Sequence, residues 1–230
     1  MNRPYVHINV AMTADGKIDT IERRGAVISS PSDEERVDRL RAEADAVLVG
    51  GRTLRNEDPK LTIRSRHLRA QRVSRGLPPN PTKVGVVTVA DIKDDARFLV
   101  SGPARVVIFT TDRTSKQQLD ALRSRGAELY VHHGVRADLE LMLHTLKETG
   151  VNRLMVEGGG TINFELLHSR LVDEITAYVA PRLFGGAGAP TLADGLGLGP
   201  GAAIQLKLLE AEKWDDGGVF LRYSLNQEET

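Results

Sequence analysis

The chain has 230 residues, and its 31 basic and 31 acidic side chains cancel, so no global charge draws it to nucleic acid or an anionic membrane. Cysteine is absent, which excludes disulfides, thiolate metal sites and cysteine nucleophiles. No apolar run approaches the ~18 residues of a membrane helix, and the opening MNRPYVHINVAM lacks the apolar stretch of a signal peptide. The expectation is a cytoplasmic protein without a membrane partner, folded as a single domain over residues 1–230.

YVHINVAM (Tyr5–Met12) reads as a strand, closed by a T-A-D-G-K turn in which Asp15-Gly16 supplies a positive φ at little cost. SPSDEERVDRLRAEA reads as a helix. Ser32 is placed to cap it, Glu35 follows three residues later as in a capping box, and Val37, Leu40 and Ala44 fall at helical spacing. AVLVG (Ala46–Gly50) is a continuous apolar run, as in a strand buried on both faces. GGRTLRNEDP suggests a short helix ended at Asp58-Pro59, and the polar, Arg-rich stretch from Arg64 to Pro81 reads as an exposed loop.

Strands are then expected over Val84–Val89, Arg105–Thr110 and Glu128–Val131, with helices over Lys116–Arg125 and Leu139–Glu148. NRLMVE is the next strand, Thr161–Arg170 the next helix, and EITAYVAP a further strand. A Gly/Pro-rich loop, Phe184–Gly201, leads to AIQLKLLEAE and GVFLRYSL, which alternate in polarity around the hairpin signal WDDGG. Alternating strands and helices predict an α/β fold with a mostly parallel sheet covered on both faces and an antiparallel C-terminal hairpin.

The chemistry-bearing stretch is LMVEGGGTINFELL. Three glycines follow a strand and open a helix, where backbone N–H groups and the helix dipole favour an anion. The Rossmann spacing fails because position 163 is Asn, and no GK[ST] follows for a Walker loop. The competing reading is a plain strand-to-helix turn, against which stands the entropic cost of three consecutive glycines. Glu157, just before them, is placed to orient a substrate amine or hydroxyl, to move a proton, or only to cap amides. Lys17 either points into a cleft rim or is solvated. The arginines between Arg64 and Arg75 suit one or two phosphate contacts or a solvated loop. With aromatics at 4% and none in that loop, they do not suit a nucleic-acid face. Arg41 on the first helix is a surface residue by base rate. No metal site is expected: His132 and His133 are adjacent and point to opposite faces of a strand, and no HExxH or DxDxDG occurs. No GxSxG elbow supports a serine hydrolase.

Taken in order, NVAMTADGK (Asn9–Lys17), RAEADAVLVGGRT (Arg41–Thr53), NEDPKLT (Asn56–Thr62), MVEGGGT (Met155–Thr161), LVDE (Leu171–Glu174) and YVAPRLFGG (Tyr178–Gly186) resemble the riboflavin-biosynthesis pyrimidine reductases. The resemblance implies a dihydrofolate-reductase-like three-layer α/β/α fold and a homodimer. It also implies NADPH-dependent reduction of a ribosylamino pyrimidine 5′-phosphate to its ribitylamino form, with NADH as the alternative cofactor. On the cofactor side it implies Ala11 beside the nicotinamide, then Thr53, Glu57, Thr88, and Gly158, Gly159, Gly160 and Thr161 on the pyrophosphate. Glu57 stands where the family usually has Asp, which keeps the charge on a longer side chain. Thr88 follows Val87 where a D-S pair is usual. On the substrate side it implies Arg41, Leu61 and Arg64 for the phosphorylated sugar. Lys17 and Glu157 are then substrate-binding and catalytic.

A chain that starts just before its first strand, without a deaminase motif, is similar to the stand-alone reductases acting on the 2,5-diamino-pyrimidinone; FGGAGAPT (Phe184–Thr191) points the same way. The alternatives are the 5-amino-6-(5-phosphoribosylamino)uracil reductase, a dihydrofolate-reductase-like enzyme on another substrate, and a non-enzymatic nucleotide- or nucleic-acid-binding module.

Overall fold

A computed structural model describes residues 2–225. In chain order its elements are β1 (Tyr5–Thr13), α1 (Pro31–Glu43), β2 (Ala46–Gly50), α2 (Gly51–Asn56), α3 (Arg66–Ser74), β3 (Thr82–Val86), α4 (Arg97–Val100), β4 (Val106–Thr111), α5 (Lys116–Ser124), β5 (Glu128–His132), α6 (Leu139–Glu148), β6 (Arg153–Val156), α7 (Gly160–His168), β7 (Glu174–Ala180), β8 (Leu206–Lys213) and β9 (Val219–Leu225). The strands make a mixed sheet, and the chain divides into two compact units, residues 2–4 with 36–155 and residues 5–35 with 156–225.

In the first unit the strand order is β5-β4-β3-β2, all parallel. Every residue of β2 and of β4 is buried, as continuous apolar runs in a covered parallel sheet require. Their alternate side chains Val47, Val49, Val106 and Ile108 pack with Leu54, Phe98, Leu122 and Met155 into one core. Helix α6 matches its expected bounds. The Asp138 carboxylate accepts from Leu141 N at 3.0 Å at its start, and Gly150 at φ +92° turns the chain at its end.

In the second unit the order is β1-β7-β9-β8; β1 and β7 are parallel, and the two pairings that follow are antiparallel. The expected C-terminal hairpin is present. Gly217 at φ +83° turns it, Trp214 N donates to Gly218 O at 2.9 Å, and a register shift between Leu208 and Glu210 bulges the edge strand. Tyr178 of β7 packs against Trp214, which stacks on Phe220, and Ile28 and Ala180 complete this smaller cluster.

Three expectations are corrected. The Arg64–Pro81 stretch is not a loop throughout: α3 occupies its first half, capped by Ser65, whose Oγ accepts from Leu68 N at 3.3 Å. Arg72 within it is buried and donates to Ala42 O at 2.9 Å, Ala44 O at 2.8 Å and Pro78 O at 2.8 Å, so a guanidinium does the anchoring usually left to an apolar residue. The first helix is capped by Ser30 rather than Ser32. Ser30 Oγ accepts from Asp33 N at 3.2 Å, with Pro31 in the first turn where its missing N–H costs nothing. The strand expected at Val84–Val89 runs from Thr82 to Val86.

Candidate functional site

The second unit resumes at Val156, the last residue of β6, with the half-buried Glu157 and then the glycine turn. The three glycines serve different ends. Gly158 and Gly159 lie at φ +103° and +65°, conformations that an L side chain resists. Gly160 opens α7, and a Cβ there would stand 2.5 Å from Thr191 O and 2.8 Å from an Asp194 carboxylate oxygen. The third glycine is therefore required by packing within the protein, and the triplet alone does not call for a ligand. The N-cap, Gly159, has no side-chain acceptor for the first amides of α7, and the first helical bond runs from Asn163 N to Gly159 O at 3.1 Å. A helix start of this kind leaves its leading N–H groups without a side-chain cap and favours negative charge, and Thr161 in its first turn is exposed. Gly158 is buried, and a Cβ there would come into ordinary contact with Asn163 Nδ2 at 3.9 Å, so its positive φ, not crowding, is what asks for glycine.

Behind this turn Asn163 is wholly buried. Its Nδ2 donates to Leu192 O at 2.8 Å, while its Oδ1 has no partner among the described residues. Lys17 is half-buried after the turn that closes β1. Its backbone is fixed from both sides: Thr13 N donates to Lys17 O at 2.9 Å, and Lys17 N to Thr13 Oγ1 at 3.0 Å. Asp15 accepts from Thr13 Oγ1 and from Gly185 N at 2.7 Å; the hydroxyl bond first, with the loop amides, holds its carboxyl below the usual range. Buried Asp19 takes the amides of Thr20, Gly25 and Ala26 at 2.7–2.9 Å and shapes the loop that follows. Ala11 sits half-buried on β1, in register with Tyr178.

In the first unit, Thr53 is buried on α2, and the exposed Glu57 closes that helix through Glu57 N to Thr53 O at 3.0 Å. The NEDPKLT segment then bends through two residues of positive φ, Asp58 at +45° and Leu61 at +51°. Such strain persists only where the surroundings hold it. The Asp58 carboxylate accepts from Arg97 N at 2.8 Å and Phe98 N at 3.0 Å, capping α4. The Arg97 guanidinium returns bonds to Asp58 O at 2.8 Å and Glu57 O at 3.2 Å. At the other end of α4, the buried Lys83 ammonium donates to Phe98 O at 2.9 Å and Ser101 O at 2.5 Å, and burial pulls its pKa down to about 8.

Further along, Arg41 Nη1 donates to Thr62 O at 3.0 Å, and Asp38 accepts from Arg64 N and Ser65 N at 2.7 Å each. Arg41, from the last turn of α1, thus braces the segment that carries Leu61 and Arg64. The Leu61 side chain belongs to the core, so only its backbone is available to a ligand, while Arg64 is exposed. Thr88 is half-buried beyond β3, its carbonyl held by Thr111 Oγ1 at 2.7 Å. Arg72 is buried and spent on backbone carbonyls, which removes it from any phosphate-binding face, while half-buried Arg69 donates through Nη1 to Ile63 O at 2.6 Å.

The site residues named from the sequence thus fall into two constellations. Ala11, Lys17, Glu157 and Gly158–Thr161 lie in the second unit; Arg41, Thr53, Glu57, Leu61, Arg64 and Thr88 lie in the first. A model of the RibD C-terminal domain matches residues 4–220. The chain belongs to the RibD C-terminal domain family. A 2,5-diamino-6-ribosylamino-4(3H)-pyrimidinone 5′-phosphate reductase of Archaeoglobus fulgidus is 40% identical over 193 residues, which span 84% of this chain and 87% of that one. Acinetobacter baumannii RibD matches with a TM-score of 0.80 at 23% identity, over 99% of this chain and 59% of that longer one. Dihydrofolate reductase from Enterococcus faecalis matches with a TM-score of 0.50 at 11% identity, over 97% of each chain. The two structures establish the dihydrofolate-reductase-like fold that the motifs implied.

Within this RibD-type domain, sequence reasoning missed the residues that brace the named ones. Asp58, Arg97 and Lys83 hold α4 and the NEDP turn; Asp19, Asn163 and Asp194 hold the loops around Lys17 and α7. The Asp-Pro pair at 58–59 was visible, but its partners lie about forty positions on, beyond any local pattern. A cavity of about 450 Å³ in the second unit, lined among others by Ser30, Glu34, Tyr178, Arg182 and Asp216, was also missed, and none of the named site residues lines it. Burial raises the Tyr178 phenol above its usual range.

Proposed function

We propose that this RibD-family chain reduces 2,5-diamino-6-ribosylamino-4(3H)-pyrimidinone 5′-phosphate to the ribitylamino compound, with NADPH as reductant. One observation carries the reading: the Archaeoglobus relative with that name is 40% identical across 84% of this chain. The glycine turn fits a dinucleotide phosphate, because Gly159 presents no Cβ and the leading amides of α7 need an acceptor. The Enterococcus reductase of similar fold is complexed with NADP(H). The proposal includes a cytoplasmic homodimer and one functional domain. No helix among the described residues is long and apolar enough to cross a membrane.

In the reaction the ribose C1′–O4′ bond breaks as the exocyclic nitrogen forms an imine; the N–H proton is lost and O4′ gains one. C1′ then receives a hydride and the nitrogen regains a proton. NADPH, when bound, supplies the hydride. Lys17 and Glu157 are assigned to the proton traffic at O4′ and nitrogen. Arg41 at the end of α1, and Arg64 on the 61–65 segment that Arg41 braces, are assigned to the sugar phosphate, which suits guanidinium geometry. Glu57, Thr53 and Thr88 are assigned to the cofactor, together with Gly158–Thr161 and Ala11.

The test is NADPH oxidation with the diamino-pyrimidinone, the amino-uracil and dihydrofolate in parallel. Turnover should be fastest with the first; preference for either of the others overturns the substrate assignment. Lys17→Met and Glu157→Gln should each lower kcat by about 100-fold, the usual range for a general acid or base, while NADPH affinity holds. If both keep wild-type kcat and KM, the proton assignment is wrong. Elution at monomer size would sink the dimer.

A further inference from the structure

The loop between β7 and β8 is exposed over most of its length, yet Ala189 and Pro190 are buried and the next residues half-buried. This short stretch bonds in two directions. Towards β1, Pro190 O accepts from Ile18 N at 3.0 Å, and Thr191 forms an antiparallel bridge with Lys17. Towards α7, Asp194 N donates to Gly160 O at 2.8 Å, and Leu192 O accepts from the buried Asn163 Nδ2 at 2.8 Å. Between the two ends the Asp194 carboxylate closes the turn, accepting from Thr191 N at 3.0 Å and Thr191 Oγ1 at 2.7 Å. Gly160 is held to glycine by this same stretch, since a Cβ would strike Thr191 O and the Asp194 carboxylate. Two sites far apart in sequence, one following β1 and one opening α7, thus meet the same five residues.

We propose that residues 190–194 are a positioning strap that sets Lys17 and the amino end of α7 at a fixed spacing, with Asp194 as its positioning residue. The strap touches neither substrate nor cofactor in this assignment. It fixes the backbone of the group assigned to proton transfer and of the turn assigned to the cofactor phosphates. Misplacing either end by about 1 Å is enough to cost on the order of 100-fold in rate. The inference rests on the proposed roles of Lys17 and of the glycine turn.

The experiment compares Asp194→Ala, Thr191→Val and Thr191→Ser with the wild type. Amide exchange at Ile18 and Asp194 is read first, because it does not depend on activity. Both amides should be protected in the wild type and in Thr191→Ser, and both should exchange faster in Thr191→Val, which keeps the side-chain volume but loses the hydroxyl donor. Faster exchange at only one of the two amides would break the strap into unrelated contacts and overturn the proposal. The dissociation constant for NADPH and the kcat and KM for the pyrimidine are read next. Asp194→Ala and Thr191→Val should weaken NADPH binding and lower kcat together, by about tenfold for the aspartate, and Thr191→Ser should restore both. A folded Thr191→Val with coupled loosening but wild-type kcat and NADPH affinity would overturn the positioning role. If Lys17→Met itself leaves kcat unchanged, the functional assignment has failed, and the exchange data still decide whether the strap exists. Should Asp194→Ala not fold, Thr191→Val and its serine rescue carry the test.

Discussion

Lys83 is a buried ammonium whose protonation should be visible in stability. It is wholly buried on β3 and donates to two carbonyls at the end of α4, and burial lowers its pKa from 10.5 to about 8. Below the folded value both states are protonated, and folding bears the cost of removing the charge from water. Between the two values the unfolded chain holds more protons than the folded one, so stability rises with pH through this window and is lost again as pH falls through about 8. Linkage over the interval from pH 7 to pH 9.5 gives a gain of about 2 kcal/mol, an upper figure if water reaches the ammonium on opening. Urea denaturation of the wild type and of Lys83→Met across this range is the assay. The difference between the two free energies removes the titration of other groups, including Tyr178, whose raised pKa acts only at higher pH. The wild type should gain about 2 kcal/mol on the variant. Curves that stay parallel within about 0.5 kcal/mol would mean that Lys83 is solvated or keeps an ordinary pKa, and the burial argument would fall.

Two other substitutions test packing rather than charge. Gly160→Ala would normally favour a helix, but here the new Cβ meets a carbonyl at 2.5 Å, so a loss of about 1–3 kcal/mol is expected in thermal melts; an unchanged or raised Tm would refute the close approach. Arg72→Ala strips donors from three carbonyls, those of buried Ala42 and Ala44 and of exposed Pro78, and should cost about 3 kcal/mol by denaturant titration, with Arg72→Lys failing to restore it; full rescue by lysine would show that charge alone matters at that position.

The parts of the fold that were legible carry local instructions. Leu139–Glu148 has an aspartate cap, a helical apolar face and a glycine after its end, and all three lie within a dozen residues. The hairpin around Trp214–Gly218 is written in alternation and turn residues. Helix α3 was not legible because its inward anchor is Arg72, which pattern reasoning counts as polar. Helix α4 is four residues long and exists because Asp58 caps it from about forty positions away, a contact that no window reveals. The same distance hid the bracing of the site. Lys17 and VEGGGT are prominent in the sequence, but the loop that joins them lies at 190–194 and looks like featureless Gly/Pro-rich linker.

The glycine triplet shows why a motif's composition and its cause must be separated. As a sequence, three consecutive glycines carry one entropic cost, which favours a ligand over a plain strand-to-helix turn. The structure divides that cost. Two glycines satisfy left-handed φ values that the turn from β6 into α7 imposes, and the third yields space to Thr191 and Asp194. Each reason is internal, so the triplet would persist in a protein with nothing to bind. What supports the proposed phosphate contact is instead the N-cap, Gly159, which offers no side-chain acceptor to the first amides of α7, beside the exposed Thr161. The distinction has a practical consequence. Alanine at 158 or 159 strains the turn and alters its shape whether or not a ligand binds, so loss of activity in those variants says nothing about phosphate contact. Thr161 is exposed in the first turn of α7 and lies outside the positive-φ pair, so Thr161→Ala should leave the glycine conformations intact. A change in NADPH affinity from that substitution therefore reports on contact with the ligand.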